Sequence, residues 1–383
     1  MRVTVGDLRL GRDERRLLAR VIASNRLSYG PFTRDLEKLF ARIHGTRSAV
    51  FCNSGTSALQ IALQALKEKH RWRDGDEVLV PVVTFVATSN IVLHNRMKPV
   101  FVDVQPQTYN IDPARISDAM SRKTRCVIPV HLMGLPADMD EVRASRLKVI
   151  EDSCETMFAR YKGRPVGSLG DIGCFSTYVA HYIVTGVGGF ATTSDRGLAV
   201  KLRSLMNHGR DSIYLSIDDD DVTGKRLIET VEKRFRFVSP GHSFRCTELE
   251  AAIGLAQLRK YRTILKARQS NAAYLMKGLA DLQEHLQLPT IPPDRDHVFM
   301  LFPLVTKTLR KRPLVNYLER RGIETRDLLP LLNQPVYRGL IRGEFPVARW
   351  LLDRGFYIGC HQYLARKQLD YVIDSIHAFF KFR

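Results

Sequence analysis

SAVFCNSGTSAL, residues 48–59, joins a short apolar run to the start of a helical pattern through small, hydroxyl-bearing residues. Ser48–Cys52 reads as a buried strand, and the helix runs from Thr56 to about Lys69. In the turn between them, small residues let the backbone approach an anion, and the N–H groups of the first helical turn point toward it. Gly55, Thr56 and Ser57 are therefore phosphate-binding candidates, although an ordinary helix N-cap uses the same residue types.

The same alternation continues outward. EVLVP (77–81), VFVDV (100–104), CVIPV (126–130) and KVIE (148–151) read as strands, with a helix over Ala87–Asn95. Continuous apolar strands alternating with helices predict an α/β fold with a mainly parallel central sheet, covered on both faces. A long helical pattern over Leu249–Arg268 leads out of this region. Val298–Val305 and the segments beyond it predict a smaller C-terminal α+β domain. The expected division is a large domain over residues 1–260 and a small one over 261–383. Ser216–Pro240, with its acidic tip Asp218–Asp221, reads as an excursion or flap.

Composition narrows the classes of function. The chain has 383 residues, 44% hydrophobic and 26% charged, which is ordinary for a soluble globular protein. No apolar run is long enough for a transmembrane helix. Met1–Arg20 is charged and lacks the apolar centre of a signal peptide, so a cytoplasmic protein without membrane contact is expected. Cys52, Cys126, Cys154, Cys174, Cys246 and Cys360 are scattered with no C-x-x-C pair, which signals no metal site, no iron–sulfur cluster and no disulfide framework. The net charge of +19 is spread along the chain without basic arms or interleaved aromatics, which argues against nucleic acid. It leaves a basic surface or the attraction of a small anionic substrate.

Two positions carry chemistry. Asp152 ends a strand at the edge where α/β sheets bind ligands, and its carboxylate there can hold a pyridinium N–H. An aspartate at a strand end is also a common cap. The second is His181, within FSTYVAHYIVTGVGGF (175–190).

That stretch resembles the DegT/DnrJ/EryC1/StrS sugar aminotransferases, whose members read close to FSFHPTK-x-x-T-x-G-x-GG with a lysine that holds pyridoxal phosphate covalently. The alignment needs no gap, and His181 stands at the lysine position. Tyr178-Val179-Ala180 and Val187 depart from the usual residues. SYGPFTRDLEKLFA (28–41), NSGTSAL (53–59), PVVTFVATSNIVL (81–93), KPVFVDVQPQTYNIDP (98–113), PVHLMGLPADMD (129–140), EDSCE (151–155) and SFRCTELEAAIGLAQL (243–258) follow in the family's order.

The resemblance implies the fold type I, aspartate aminotransferase-like architecture of pyridoxal phosphate enzymes that act on nucleotide-linked keto-sugars. It implies that Gly55, Thr56, Ser57 and Ser176 bind the cofactor phosphate, that Phe85 stacks on the ring, and that Asp152 and Glu155 contact the cofactor. It further implies a homodimer with shared active sites, His208 and Arg245 reaching substrate or the neighbouring subunit. Ser243 departs from the asparagine that bridges to the partner's phosphate in many members.

Imidazole cannot hold the cofactor aldehyde covalently, but it moves protons near neutral pH. The lysine-to-histidine change resembles the family's 3-dehydratase branch, as do GIETRDLLPLLNQPVY (322–337), GFYIGCHQYL (355–364) and the glutamate at position 155. It implies non-covalent pyridoxamine 5′-phosphate or pyridoxal 5′-phosphate, with His181 as base. The ungrouped cysteines favour the reductase-independent kind, in which L-glutamate regenerates the cofactor amine. Two other readings stand beside it. One is an atypical aminotransferase working without the lysine, and the other is a nucleotide-sugar binder without turnover.

Overall fold

The computed structural model describes residues 1–211 and 222–381. The expected acidic tip Asp218–Asp221 lies outside the described residues, and the segment after it forms a helix, Gly224–Lys233.

Nine strands form in the first half: β1 (Ser48–Cys52), β2 (Glu77–Pro81), β3 (Lys98–Val102), β4 (Thr124–Val127), β5 (Lys148–Asp152), the short hairpin β6 (Arg160–Tyr161) and β7 (Arg164–Pro165), β8 (Ile172–Ser176) and β9 (Gly189–Thr193). Seven of them make one sheet in the order β1-β9-β8-β5-β4-β2-β3. Every neighbouring pair is parallel except the two made by β9. All residues of β2, β8 and β9 are buried, which is why these strands read as continuous runs with no alternation. Parallel pairing places the ends of β2, β5 and β8 and the helix start after β1 along one edge of the sheet, where ligands of such folds bind.

The register differs from the sequence reading at β3 and β4, which end at Val102 and Val127 where the apolar pattern ran on to Val104 and Val130. Asp103 explains the first stop. Its carboxylate accepts the Val347 and Ala348 N–H groups, both at 3.0 Å, at the first turn of the helix Pro346–Arg354. The chain turns to serve that helix and leaves the ladder.

The predicted long helix over 249–268 is two helices, Glu248–Arg259 and Tyr261–Gly278. Lys260 leaves helical geometry at φ −111° and ψ 18°, and its ammonium pairs with the buried carboxylate of Glu14. The tertiary ion pair sets a corner where periodicity alone shows none.

A second sheet, β10 (Leu286–Gln287), β11 (Leu301–Thr306), β12 (Thr325–Asp327) and β13 (Gly355–Gly359), has the order β10-β11-β13-β12 and is antiparallel throughout. Leu275, Leu314, Leu318 and Ile376, from three helices, cover it in an apolar cluster of its own, with Phe302, Phe356 and Ile358 from its strands. Val3, near the start of the chain, joins this cluster and bridges Ile323. A division of the chain between residues 260 and 261 is a proposal; the helix Tyr261–Gly278 contributes Ile264 to the large cluster and Leu275 to the small one. Among the described residues no helix is long and apolar enough to cross a membrane.

Candidate active site

A cavity of about 850 Å³ opens at the C-terminal edge of the large sheet, and residues of the small sheet close its other side. Each wall traces to a local feature of the sequence.

The helix Gly55–His70 points its N-terminus into the cavity. Ser54 caps it by accepting the Ser57 N–H at 3.0 Å, and Gly55 and Thr56 line the opening. A Cβ on Gly55 would come within 2.8 Å of both Cys154 Sγ and the Ser176 Cβ, so the close packing of β1, β5 and β8 here requires glycine. Ser57 behaves differently from the other three candidates. It is buried and does not line the cavity, and its hydroxyl donates to Asn53 Oδ1 at 2.6 Å. Ser176, at the end of β8, does line it.

Asp152 ends β5 on the cavity floor and is only 4% exposed. The Thr88 hydroxyl donates to its Oδ2 at 2.7 Å, and the Cys154 N–H to its Oδ1 at 3.2 Å. Burial nonetheless raises its pKa above the ordinary carboxylate value, because these hydrogen bonds and the nearby His131 offset only part of the desolvation. Glu155 accepts the Met133 N–H at 3.0 Å; burial, with the nearby Asp152 carboxyl, pushes it up to about 7.

Phe85 lines the cavity and is 57% exposed, although its neighbours Val83 and Thr84 are fully buried. An aromatic ring held out of the core in an enclosed site is a platform for a flat ligand.

His181 lies in the turn between β8 and β9, half-buried. Its N–H donates to Tyr178 O at 2.9 Å, and its Nδ1 is 3.3 Å from Met300 Sδ. Nε2 has no hydrogen-bond partner among the described residues, and the ring lines the cavity. Burial, then the charge of Arg268, lowers its pKa to about 3, so the imidazole is neutral at physiological pH with a lone pair to accept a proton. No lysine lines the cavity among the described residues.

The turn that carries His181 is clamped from behind. Gln257, buried in the helix Glu248–Arg259, accepts the Val184 N–H at 3.0 Å and donates to Val184 O at 2.7 Å. Gln257→Ala strands both main-chain groups in the core and is expected to cost about 2–4 kcal/mol. Urea unfolding of the two proteins measures this, and a loss below about 0.5 kcal/mol would show that the turn does not depend on the clamp.

His208 and Arg245 come together but not in the cavity. Both are exposed, with Arg245 Nη2 3.3 Å from His208 Nε2 and donating to Ser243 Oγ at 3.0 Å. Their segment borders the phosphate loop, since the Asn53 N–H donates to Phe244 O at 2.8 Å.

The sequence reading assigned no roles to Thr88, Arg268, Arg326, Asp327 and Tyr357. Arg326 and Asp327 on β12 and Tyr357 on β13 line the far wall. They fall in the 322–337 and 355–364 stretches already noted for their resemblance. Thr88 follows Phe85 at helical spacing, which was a readable signal. For Arg268 there was none.

The donor set fits a pyridoxal phosphate type of cofactor. Phe85 offers a stacking face and Asp152 a buried carboxylate with no ion-pair partner among the described residues. The helix Gly55–His70 offers free N–H groups for a phosphate. The match to the family model described as DegT/DnrJ/EryC1/StrS aminotransferase family covers residues 9–377. The dTDP-4-dehydro-2,6-dideoxy-D-glucose 3-dehydratase of Saccharopolyspora spinosa is 33% identical, covering 97% of this chain and 85% of its own. The GDP-perosamine synthase of Caulobacter vibrioides is 32% identical over 98% and 97% of the two chains. A crystal structure of GDP-4-keto-6-deoxymannose-3-dehydratase with a trapped PLP-glutamate geminal diamine superposes with a TM-score of 0.87 at 25% identity, covering 97% of this chain and 99% of the other. The architecture is the PLP-dependent, aminotransferase-like α/β fold that the sequence led us to expect.

Proposed function

The chain belongs to the DegT/DnrJ/EryC1/StrS aminotransferase family of sugar-modifying enzymes, and from that membership we propose that it is a 3-dehydratase of a nucleotide-linked 4-keto-6-deoxy-hexose. The observation that carries the reading is a neutral imidazole, His181, in the cavity where the family's lysine stands, with no lysine to replace it among the lining residues. The similarity to two dehydratases supports it.

Bound in this cavity, pyridoxamine 5′-phosphate supplies an amine for the sugar ketone and a ring that accepts electrons. Asp152 would hold the ring nitrogen, Phe85 would stack on the ring, and Glu155 would meet its edge. Gly55, Thr56 and Ser176 would receive the phosphate, with Ser57 acting indirectly by holding Asn53. His181 Nε2 would take the proton whose loss drives expulsion of the 3-hydroxyl. L-glutamate, oxidised to 2-oxoglutarate, would supply the two electrons of the net deoxygenation and its nitrogen would leave as ammonia. The ungrouped cysteines support this route over an iron–sulfur reductase. We propose a homodimer in which the exposed His208 and Arg245 serve the neighbouring subunit's site.

The test is a panel of nucleotide-4-keto-6-deoxy sugars with cofactor and glutamate, followed by mass spectrometry. A 3-deoxy product with ammonia is expected. An amino sugar would establish an aminotransferase instead, and no product from any sugar would favour a binder. Borohydride should reduce no lysine adduct in the wild-type protein. His181→Lys should create such an adduct and lose most of the dehydration, because the neutral lysine amine competes for the aldehyde that glutamate must reach. Unchanged dehydration in that variant would remove His181 from its role.

A further inference from the structure

Arg268 lies in the helix Tyr261–Gly278 with its side chain fully buried. Its Nη1 donates to Met300 O at 2.8 Å and its Nη2 to His181 O at 3.0 Å. The guanidinium stands 4.9 Å from the centre of the Tyr182 ring. Nε has no partner, and no carboxylate forms an ion pair with the group among the described residues. Keeping a buried cation without a counter-ion is costly, and such groups persist where they do something specific. The two carbonyls that Arg268 joins come from different sheets. One belongs to the β8–β9 turn and the other to the residue just before β11, and Met300 itself touches the His181 ring at 3.3 Å.

We propose that Arg268 is the positioning residue for His181: its fork fixes the His181 turn, and with it the imidazole, against Met300. The inference rests on the reading of His181 as base. Several ionisable groups share the cavity with the ring. Asp152 and Glu155 from the β5 edge and Asp327 from β12 are carboxyls in the same cavity; burial raises the first two, and Asp327 pairs with Lys311 at 2.8 Å. Arg326 from β12 opposes them from the cavity mouth, where water screens it. Tyr182 on the turn and Tyr357 on β13, both raised by burial, remain uncharged at neutral pH, as does Cys360, whose thiol burial raises to about 12. The Arg268 charge only adds to burial in lowering the proton affinity of the ring, so its main action on His181 is through the fork.

The experiment uses the protein loaded with pyridoxamine phosphate and compares Arg268→Lys, Arg268→Gln and His181→Asn with wild type. Turnover is measured on the nucleotide-sugar, and the imidazole titration is followed by carbon-labelled histidine NMR, the His181 signal being the one lost in His181→Asn. Lysine keeps the charge but cannot reach both carbonyls. It should lower kcat about 10- to 100-fold at unchanged KM and leave the titration where it is. Glutamine cannot hold both carbonyls and also removes the charge, so kcat should fall at unchanged KM and the His181 titration should move up. Wild-type kcat in Arg268→Lys or in Arg268→Gln would overturn the proposal. If Arg268→Gln does not fold, Arg268→Lys decides alone, by lower kcat at unchanged KM or by wild-type kcat. Near-normal turnover in His181→Asn would instead sink the base assignment itself, whatever the Arg268 variants do.

Discussion

His181→Asn is expected to cut turnover by about 10²–10⁴-fold, the usual contribution of a positioned general base, while leaving the cofactor bound. Asparagine fills much of the same space and leaves the main chain untouched. The Arg268 and Tyr178 hydrogen bonds run to the His181 carbonyl and N–H, so the turn should keep its place. The stacking face of Phe85, the Asp152 carboxylate and the helix N-terminus at Gly55 are likewise unaltered. Cofactor absorbance should therefore be retained while single-turnover formation of the deoxy product collapses. Turnover within about threefold of wild type would show that another group moves the proton.

The low proton affinity of His181 gives this prediction a pH signature. The ring is held neutral down to a pKa of about 3, so its protonation should not shut the reaction off as pH falls from 7 to about 5. An acidic limb in that range would come from Glu155, whose carboxyl titrates at about 7 and loses its negative charge as pH falls.

How far the molecule was legible from its sequence follows from the range of the forces involved. β1 and β2 were read at their observed bounds, and β5 one residue short of its end, because a strand buried on both faces writes itself as an uninterrupted apolar run. The stops of β3 and β4 and the corner at Lys260 were not, because they depend on partners far along the chain: Asp103 serves a helix at residue 346, and Lys260 pairs with Glu14. The site divides the same way. Residues on the βα turns of the large sheet, from Gly55 to His181, were found because each sits in a compact local pattern. Arg326, Asp327 and Tyr357 reach the cavity only because the second sheet folds over it, and Arg268 braces the His181 turn from inside an ordinary helix. A histidine in place of a lysine was visible in one dimension. The cation behind it was visible only in three.

Asp152→Asn is expected to lower turnover by about 10²–10³-fold and, at the same time, to leave the cofactor-free protein no less stable than wild type. The amide keeps the shape of the carboxylate, its oxygen accepting the Cys154 N–H and its NH2 donating to the Thr88 hydroxyl, which then donates to Thr84, but it carries no charge to hold a protonated ring nitrogen. The stability side follows from the sign of the pKa shift. Burial raises the Asp152 pKa above its unfolded value, so the folded chain binds that proton more tightly than the unfolded chain. The stability this supplies is fully present below the unfolded value near 3.8 and is lost as pH rises through the folded value. At neutral pH the empty site therefore carries a buried carboxylate at a cost, which asparagine removes. Thermal unfolding of the two cofactor-free proteins should show the Asn variant gaining on wild type as pH is raised. Adding cofactor should reverse the order, because a cationic ring nitrogen stabilises the carboxylate and gives the amide little. A variant that loses activity and stability together, with or without cofactor, would mean that Asp152 serves the fold, and the pyridinium assignment would have to be given up. Opposite movement of the two quantities is what a group held under strain for its ligand produces.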